Sequence, residues 1–324
     1  MSKFVTILKK VLQLLVTLLA IATTNFVLFR VLPGSPRTLI ARAGRLSAEM
    51  VAKLEAIFGL DKPLYQQYLI YLKNILTGQF GISTTYRRPV MEVISERMSN
   101  TLVLLAAATV FVIVIGIGLG IIAAKRRGTR TDRTLVIVSM VGWSLPTFWT
   151  GLMLIIVFSV TLGWLPVSGI TTPGAFYAST WAKVSDVARH LLLPTVSLVI
   201  VDMAQFFLVT RSALVDVLTE DYMLTAKGKG LSENAALSKH ALPNAMLPII
   251  TTLTLYVCLV IGGAIQVETV FSYPGMGRLM YDAVLKRDYP ILEASFFLLA
   301  AVTVFSNFLS DILYMIVDPR VKSL

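Results

Sequence analysis

The sequence predicts an all-α membrane protein of six transmembrane helices. Three observations carry this: an apolar excess, six runs of spanning length, and basic residues gathered in the short connections between them. Over 324 residues the chain is 56% hydrophobic and 15% charged, with a mean hydropathy of +0.77, which is more apolar surface than a soluble domain of this size can cover. The formal charge of +11 would suit a nucleic-acid binder if the cations formed one patch, but they flank the apolar runs instead. Cys258 lies within an apolar run, and His190 and His240 stand far apart in sequence. Neither a disulfide nor a zinc site of paired-ligand spacing can be built from them, and no metal ligands are expected. A phosphate-cradling loop is also missing, since Gly228-Lys229-Gly230 lacks both the upstream glycine and the following hydroxyl. If ATP drives this protein, another chain hydrolyses it.

A helix crossing about 30 Å of hydrocarbon needs roughly 20 apolar residues. Six stretches meet or approach this, near 11–32, 101–124, 134–161, 191–210, 246–268 and 291–317. The first follows Lys9-Lys10, and Ala20-Ile21-Ala22 mimics a signal-peptide cleavage site. Phe26-Val27-Leu28-Phe29 extends the apolar run beyond it, so an uncleaved anchor is expected. Orientation follows from Lys and Arg in short loops, and Lys125-Arg126-Arg127-Gly128-Thr129-Arg130-Thr131-Asp132-Arg133 is the densest cluster. With that loop inside, both termini are cytoplasmic. The expected organisation is a cytoplasmic N-terminus and first span over 1–32, an extracytoplasmic segment over 33–100, a core of spans two to six over 101–317, and a cytoplasmic C-terminus over 318–324. The extracytoplasmic segment is too long for a plain connection and carries an amphipathic pattern at Leu64-Tyr65-Gln66-Gln67-Tyr68-Leu69-Ile70-Tyr71-Leu72. It reads either as a cap over the bundle or as a surface for an external partner.

The inner loop 211–245 is the most informative polar segment. Residues 212–227 can form a helix, Lys227-Gly228-Lys229-Gly230 breaks it, and Ser232 can cap a second helix that meets Pro243. Gly230 suits the positive backbone angle of a tight reversal, and Leu231, Ala235, Ala236 and Leu237 would offer apolar knobs on a short exposed helix. Such a helix can dock in a groove on another protein; an ordinary amphipathic surface loop would look similar.

Asp221-Tyr222-Met223-Leu224-Thr225-Ala226-Lys227-Gly228-Lys229-Gly230-Leu231-Ser232, continued by Lys239-His240-Ala241-Leu242-Pro243-Asn244-Ala245, resembles the ATPase-docking loop of ABC importer permeases. That motif is usually written EAA, three residues, Gly, nine residues, Ile, one residue, Leu-Pro. Gly230 stands at its glycine, Leu242 and Pro243 at Leu-Pro, and Thr225 and Ala226 at the two alanines. Leu224 replaces the glutamate and His240 the isoleucine, departures that match the peptide and nickel branch of the family. The resemblance runs along nearly the whole chain. It takes in Leu32-Pro33-Gly34-Ser35-Pro36, Phe58-Gly59-Leu60-Asp61-Lys62-Pro63-Leu64, Gln67-Tyr68, Gly78-Gln79-Phe80-Gly81, Ser144-Leu145-Pro146-Thr147-Phe148-Trp149 and Thr210-Arg211-Ser212. Glu268-Thr269-Val270-Phe271-Ser272-Tyr273-Pro274-Gly275-Met276-Gly277 and Asp318-Pro319-Arg320 continue it.

The resemblance implies a type I ABC importer permease bundle of the MetI-like kind. It would work with a second homologous permease subunit, two cytoplasmic ATPase subunits that use ATP and Mg, and an extracytoplasmic solute-binding protein. This chain would hold no cofactor and catalyse nothing; its cargo would be peptides, with nickel or oligosaccharide as alternatives, and its place the cytoplasmic (inner) membrane. The residues implied in coupling are Thr225, Ala226, Gly230, Leu231, His240, Leu242 and Pro243.

Candidates for the translocation path come from depth instead. Asp202 lies near the middle of the fourth span, where an isolated carboxylate costs about 2.5–3.5 kcal/mol, so it should face the bundle interior, water or a partner. Gln205 follows three residues on, on a similar face. The pair reads equally as path lining or as a buried structural hydrogen bond. Gln266 and Glu268 near the outer end of the fifth span are further candidates, although an interfacial carboxylate is readily solvated. Pro146, with Gly142 and Gly151, is expected to kink the third span, as a hinge or as a packing device. A stand-alone secondary transporter would also have six spans, but the chain lacks the series of intramembrane carboxylates that proton relays use.

Overall fold

The computed structural model describes residues 3–31, 59 and 61–317. Leu32-Pro33-Gly34-Ser35-Pro36, Phe58, Leu60 and Asp318-Pro319-Arg320 lie outside the described residues. In chain order the helices are α1 (Lys3–Val31), α2 (Leu64–Thr77), α3 (Val90–Lys125), α4 (Arg130–Ser144), α5 (Thr147–Leu154), α6 (Thr180–Leu218), α7 (Asp221–Gly228), α8 (Glu233–Ala236), α9 (Leu242–Val270), α10 (Met276–Lys286) and α11 (Tyr289–Val317). π-helical turns at Ile155–Thr161 and Leu237–Ala241 prolong α5 and join α8 to α9. Among the described residues the only extended pairing is an isolated bridge between Ile82 and Pro89.

Among the described residues, four stretches are long and apolar enough to cross a membrane: Val5–Arg30, Val90–Lys125, Thr180–Leu218 and Tyr289–Leu309. They contain or overlap the expected first, second, fourth and sixth spans. The expected fifth, 246–268, falls within the 29-residue α9. The third differs. Residues 134–161 are not one helix but two, α4 and the α5–π stretch, bent by 101° at Leu145-Pro146. Pro146 excludes the residue before it from helical geometry, and Leu145 is extended at φ −79°, ψ 134°. Pro146 then opens α5, accepting the amide of Thr150 at 3.0 Å. The kink expected at Pro146 is therefore a full break between two helices.

The chain divides into two units. One comprises residues 1–101 with 274–308, the other 102–273 with 309–324.

In the first unit, α1 packs on α2 through Phe26, whose ring centroid lies 5.2 Å from Tyr68 and 5.6 Å from Tyr71. Asn25 Nδ2 donates to Tyr71 Oη and to the Glu293 carbonyl, each at 2.9 Å, which ties α1 to both α2 and α11. Arg30 Nη1 meets Glu293 Oε2 at 3.4 Å with both side chains nearly enclosed. Asp288, buried at the start of α11, accepts from Ser83 Oγ and from the amides of Thr84 (3.3 Å) and Thr85 (2.9 Å). The turn ahead of α3 is thereby stapled to the turn between α10 and α11.

In the second unit, α6 is the central element. Gly116 and Gly120 let α3 approach it closely: a β-carbon at Gly116 would stand 2.7 Å from Phe206 Cβ, and one at Gly120 2.7 Å from Thr210 Cβ. Gly142 does the same for α4, 2.7 Å from the Ile200 carbonyl. Where lipid is as apolar as the core, such close backbone contact is what holds helices together. The core cluster runs through Leu104, Leu198, Phe206, Ile249, Val267 and Phe271. Within the first two turns of α6, Asp186 ties down the segment that precedes the helix by accepting from the Thr172 amide and hydroxyl at 2.7 Å each and from Tyr177 Oη at 2.6 Å. That hydrogen bond to the carboxylate holds the Tyr177 phenol above its usual range.

Candidate functional site

The inner loop is built by local rules. α6 ends at Leu218, and Thr219 Oγ1 donates to the Asp216 carbonyl at 2.7 Å. Asp221 opens α7 in the first turn, where a carboxylate complements the helix dipole. Gly230 takes φ +80°, the left-handed geometry a side chain resists. Ser232 Oγ then accepts the Ala235 amide at 3.3 Å and starts α8. The glycine turn and capped second helix are present as expected, but the expected helix over 212–227 is interrupted at Thr219-Glu220 and divided between the end of α6 and α7. Leu242 opens α9 with Pro243 in its first turn. The π-helical widening at Leu237–Ala241, in which the Leu242 amide reaches back to the Leu237 carbonyl, relieves the clash a proline makes with the turn before it.

The apolar residues of this loop point the other way from the sequence expectation. Ala236 and Leu237 are buried and Leu231 is half-buried. Ala236 joins a cluster with Ala124, Leu214, Met223, Ala241 and Ala245, against which Leu231 packs. Of the coupling candidates, Ala226 is buried, Leu231, His240 and Leu242 are half-buried, and Thr225, Gly230 and Pro243 are exposed. Small side chains at Ala226 and Ala236 let α7 and α8 lie flat on the ends of α3, α6 and α9, and Tyr222 and Leu224 remain as the large exposed apolar groups. Leu224 occupies the position where the general motif has glutamate.

Two contacts hold the loop to the basic connection between α3 and α4. Lys125 Nζ donates to Asn234 Oδ1 at 2.7 Å on α8. At the inner end of α6, Arg211 Nε and Nη2 donate to Asp132 Oδ1 and Oδ2 at 2.6 and 2.8 Å, a two-pronged bond that fixes orientation as well as charge. Asp132 also accepts the Gly128 amide at 2.9 Å and is buried. Sequence reading places Asp132 in a basic cluster and Arg211 in a family motif without pairing them. The available signal is the lone acid among five cations in that loop.

Within the helices, Asp202 on α6 is not isolated. Tyr256 Oη on α9 donates to its Oδ2 at 2.9 Å, and the Tyr256 ring stands edge-on to Phe206 at 5.4 Å. Asp202 and Gln205 are half-buried while Tyr256 is buried. Gln266 and Glu268 are ten and twelve residues beyond Tyr256, about 15–18 Å along the same helix, so the five path candidates do not form one cluster. Gln266 is exposed, but Glu268 is fully enclosed, against the expectation of a solvated interfacial carboxylate. The Tyr273 amide returns to the Glu268 carbonyl at 2.8 Å, and the Gly169 amide reaches the Phe271 carbonyl at 2.9 Å, which joins the stretch after the π-helical turn that prolongs α5 to the end of α9. Pro146 is exposed at the α4–α5 break.

Comparison with known proteins gives the same picture from another side. Residues 116–323 match the family described as "Binding-protein-dependent transport system inner membrane component", and residues 1–105 match that family's N-terminal component. The chain is 39% identical over 317 residues to the oligopeptide transport system permease protein AppB of Bacillus subtilis, covering 98% of each. It is 37% identical over 322 residues to the dipeptide transport system permease protein DppB of Escherichia coli K12, covering 94% of this chain and 95% of that one. The glutathione transport system permease protein GsiC of the same strain is 39% identical over 319 residues, covering 98% of each. Among solved structures, a chain of the inward-facing MetNI methionine ABC transporter aligns with a TM-score of 0.57 at 16% identity, over 70% of this chain and 97% of that one, which is a likeness of fold.

Proposed function

Because this chain belongs to the inner-membrane components of binding-protein-dependent transport systems, we propose that it is a six-span permease subunit that imports di- and oligopeptides delivered by an extracytoplasmic solute-binding protein. Such a subunit is not itself an enzyme. Hydrolysis of ATP with Mg takes place on two partner ATPases, and a second, homologous permease completes the pore. The carrying observation is near end-to-end similarity to permeases named for oligopeptide and dipeptide transport. Nickel and oligosaccharide cargoes remain the alternatives within the same machinery.

In this reading both termini and the loop 211–245 are cytoplasmic, and the exposed edge of that loop, Tyr222, Leu224, Thr225 and Gly230, meets the ATPase. Ala226, Leu231, His240, Leu242 and Pro243 shape the edge from behind. Closure of the ATPases on nucleotide pushes α7 and α8, which can pass on force only as a rigid body joined to helices with two packings of similar energy. The Asp132–Arg211 and Lys125–Asn234 contacts are the joints that make the loop rigid with α3, α4 and α6. Asp202 and Gln205 line the path at mid-depth, Gln266 stands at its outer end, Glu268 braces the 268–273 turn, and Pro146 sets the α4–α5 bend.

Affinity purification of this chain in detergent, followed by mass spectrometry and an ATPase assay, tests the reading. A co-purifying second permease and ATPases, with hydrolysis stimulated by binding protein plus peptide, is the expected result. A lone chain that transports in liposomes without ATP would overturn it.

A further inference from the structure

The helix α2 has apolar residues on two sides. One side, with Tyr68, Tyr71, Leu72 and Ile75, packs in the cluster formed with α1. On the other, Tyr65, Leu69 and Leu76 recur at i, i+4 and i+11, a single stripe along the helix. Tyr65, Leu69 and Leu76 in that stripe are 66%, 61% and 87% exposed, and a row of bare large apolar side chains along one helix marks a surface that meets a protein or a membrane.

The height of α2 is set by its contacts with α1. Thr23 Oγ1 and Tyr68 Oη share a 2.7 Å hydrogen bond, Asn25 donates to Tyr71 at 2.9 Å, and Phe26 lies against both tyrosines. Those three α1 residues are five to eight positions before Val31, the last of α1, hence about 8–12 Å inside its end. A helix seated there is at the depth where amphipathic helices lie in the headgroup–acyl boundary, about 5–10 Å in. The apolar surface is also continuous in kind with that of α1, whose Val16, Leu19 and Val27 are exposed along the candidate span. Exposed Lys73 borders the stripe, and its long stem can lay the ammonium in the headgroup layer.

We propose that α2 is embedded in the extracytoplasmic leaflet, with Tyr65, Leu69 and Leu76 among the lipid acyl chains. The segment between the first two spans is then anchored in the bilayer at a fixed height rather than standing free in water. The inference rests on α1 crossing the membrane and, for the choice of leaflet, on the orientation proposed above; it is independent of cargo.

The test uses the complete transporter in lipid nanodiscs, on a Cys258→Ala background that retains stimulated ATP hydrolysis. Single cysteines replace Leu69, Leu76, Leu19 on the exposed side of α1, and Asp61 just ahead of α2, and each carries a nitroxide. Collision of the label with oxygen, which concentrates in acyl chains, is compared with collision with a water-soluble nickel chelate. Labels at 69 and 76 should resemble the one at 19, with an oxygen-to-chelate ratio about tenfold above that at 61, as burial in the interface requires. A ratio at 69 and 76 equal to that at 61 would mean a water-facing stripe, and shielding from both reagents would mean a protein surface covers it. Either result overturns the proposal. The label at 19 separates the causes: an aqueous signal there removes the premise that α1 spans the bilayer, whereas a lipid signal there with an aqueous one at 69 rejects the placement of α2 and leaves the importer reading intact.

Discussion

Glu293 on α11 and Asp202 on α6 are both carboxylates on long apolar helices, one in each unit, and they are partnered in opposite ways. Glu293 is enclosed and meets a guanidinium, that of Arg30, at 3.4 Å. Asp202 is half-buried and takes a neutral hydroxyl, that of Tyr256, at 2.9 Å. A charge shut away from solvent needs a countercharge, and removing that countercharge leaves the full desolvation cost standing. A half-open carboxylate held by one hydroxyl keeps lone pairs free to meet a passing group. The first arrangement builds a joint between α1 and α11, and the second leaves a polar face available within the helices. Both carboxylates fall inside apolar runs; the partner and the enclosure separate their roles.

The largest expected effect tests the joint. Arg30→Ala should lower stability by about 3–5 kcal/mol, read as a marked fall in detergent melting temperature, and adding Glu293→Leu should restore much of it. If the single variant melts like the parent, the pair is not structural. Next comes an intermediate case, because Asp132 is enclosed but the Arg211 side chain is 27% exposed. Arg211→Ala should cost less, about 1–3 kcal/mol after allowing for solvent screening. It should also reduce uptake more than ATP hydrolysis, since the loop 211–245 loses a joint while the edge proposed to meet the ATPase is unchanged; an equal loss of both would argue against a coupling role.

On the other side of the comparison, Tyr256→Phe removes one hydrogen bond and should shift stability by about 0.5–1.5 kcal/mol. Asp202→Asn should leave the melting temperature within that range yet depress peptide uptake. Uptake and assembly both unchanged would remove Asp202 from the path. The smallest effect belongs to an exposed pair, Arg88–Glu96 at 2.7 Å with side chains 47% and 57% exposed. Arg88→Ala should leave melting unchanged, which marks the baseline for the other variants.

Features decided by a few neighbouring residues are legible in the amino-acid sequence alone. Gly230 and Ser232 specify the turn and cap of the inner loop because both act within four residues, and the long apolar runs that form α1, α3, α6 and α11 stand out by length. The site is only half legible. Asp202 is identifiable from its depth, but Tyr256, 54 residues away, is not. Pro146 signals a disturbance in the third span without its size, because the proline dictates only that Leu145 leave the helix, and the 101° angle depends on what the two halves pack against. Glu268 looks interfacial by position and is enclosed, because burial depends on what packs around the end of α9 and not on position along it.

Helical content, the family and the capped reversal of the loop 211–245 thus follow from local chemistry and residue order. Which side of each helix is buried does not. In a soluble protein the buried side is the apolar one, but in a bilayer the lipid-facing side is apolar too, so the periodic contrast that would reveal it is weak. The inward turn of Ala236 and Leu237, the enclosure of Glu268 and the pairing of Arg30 with Glu293 and of Asp132 with Arg211 are all decided by packing between residues distant in the chain.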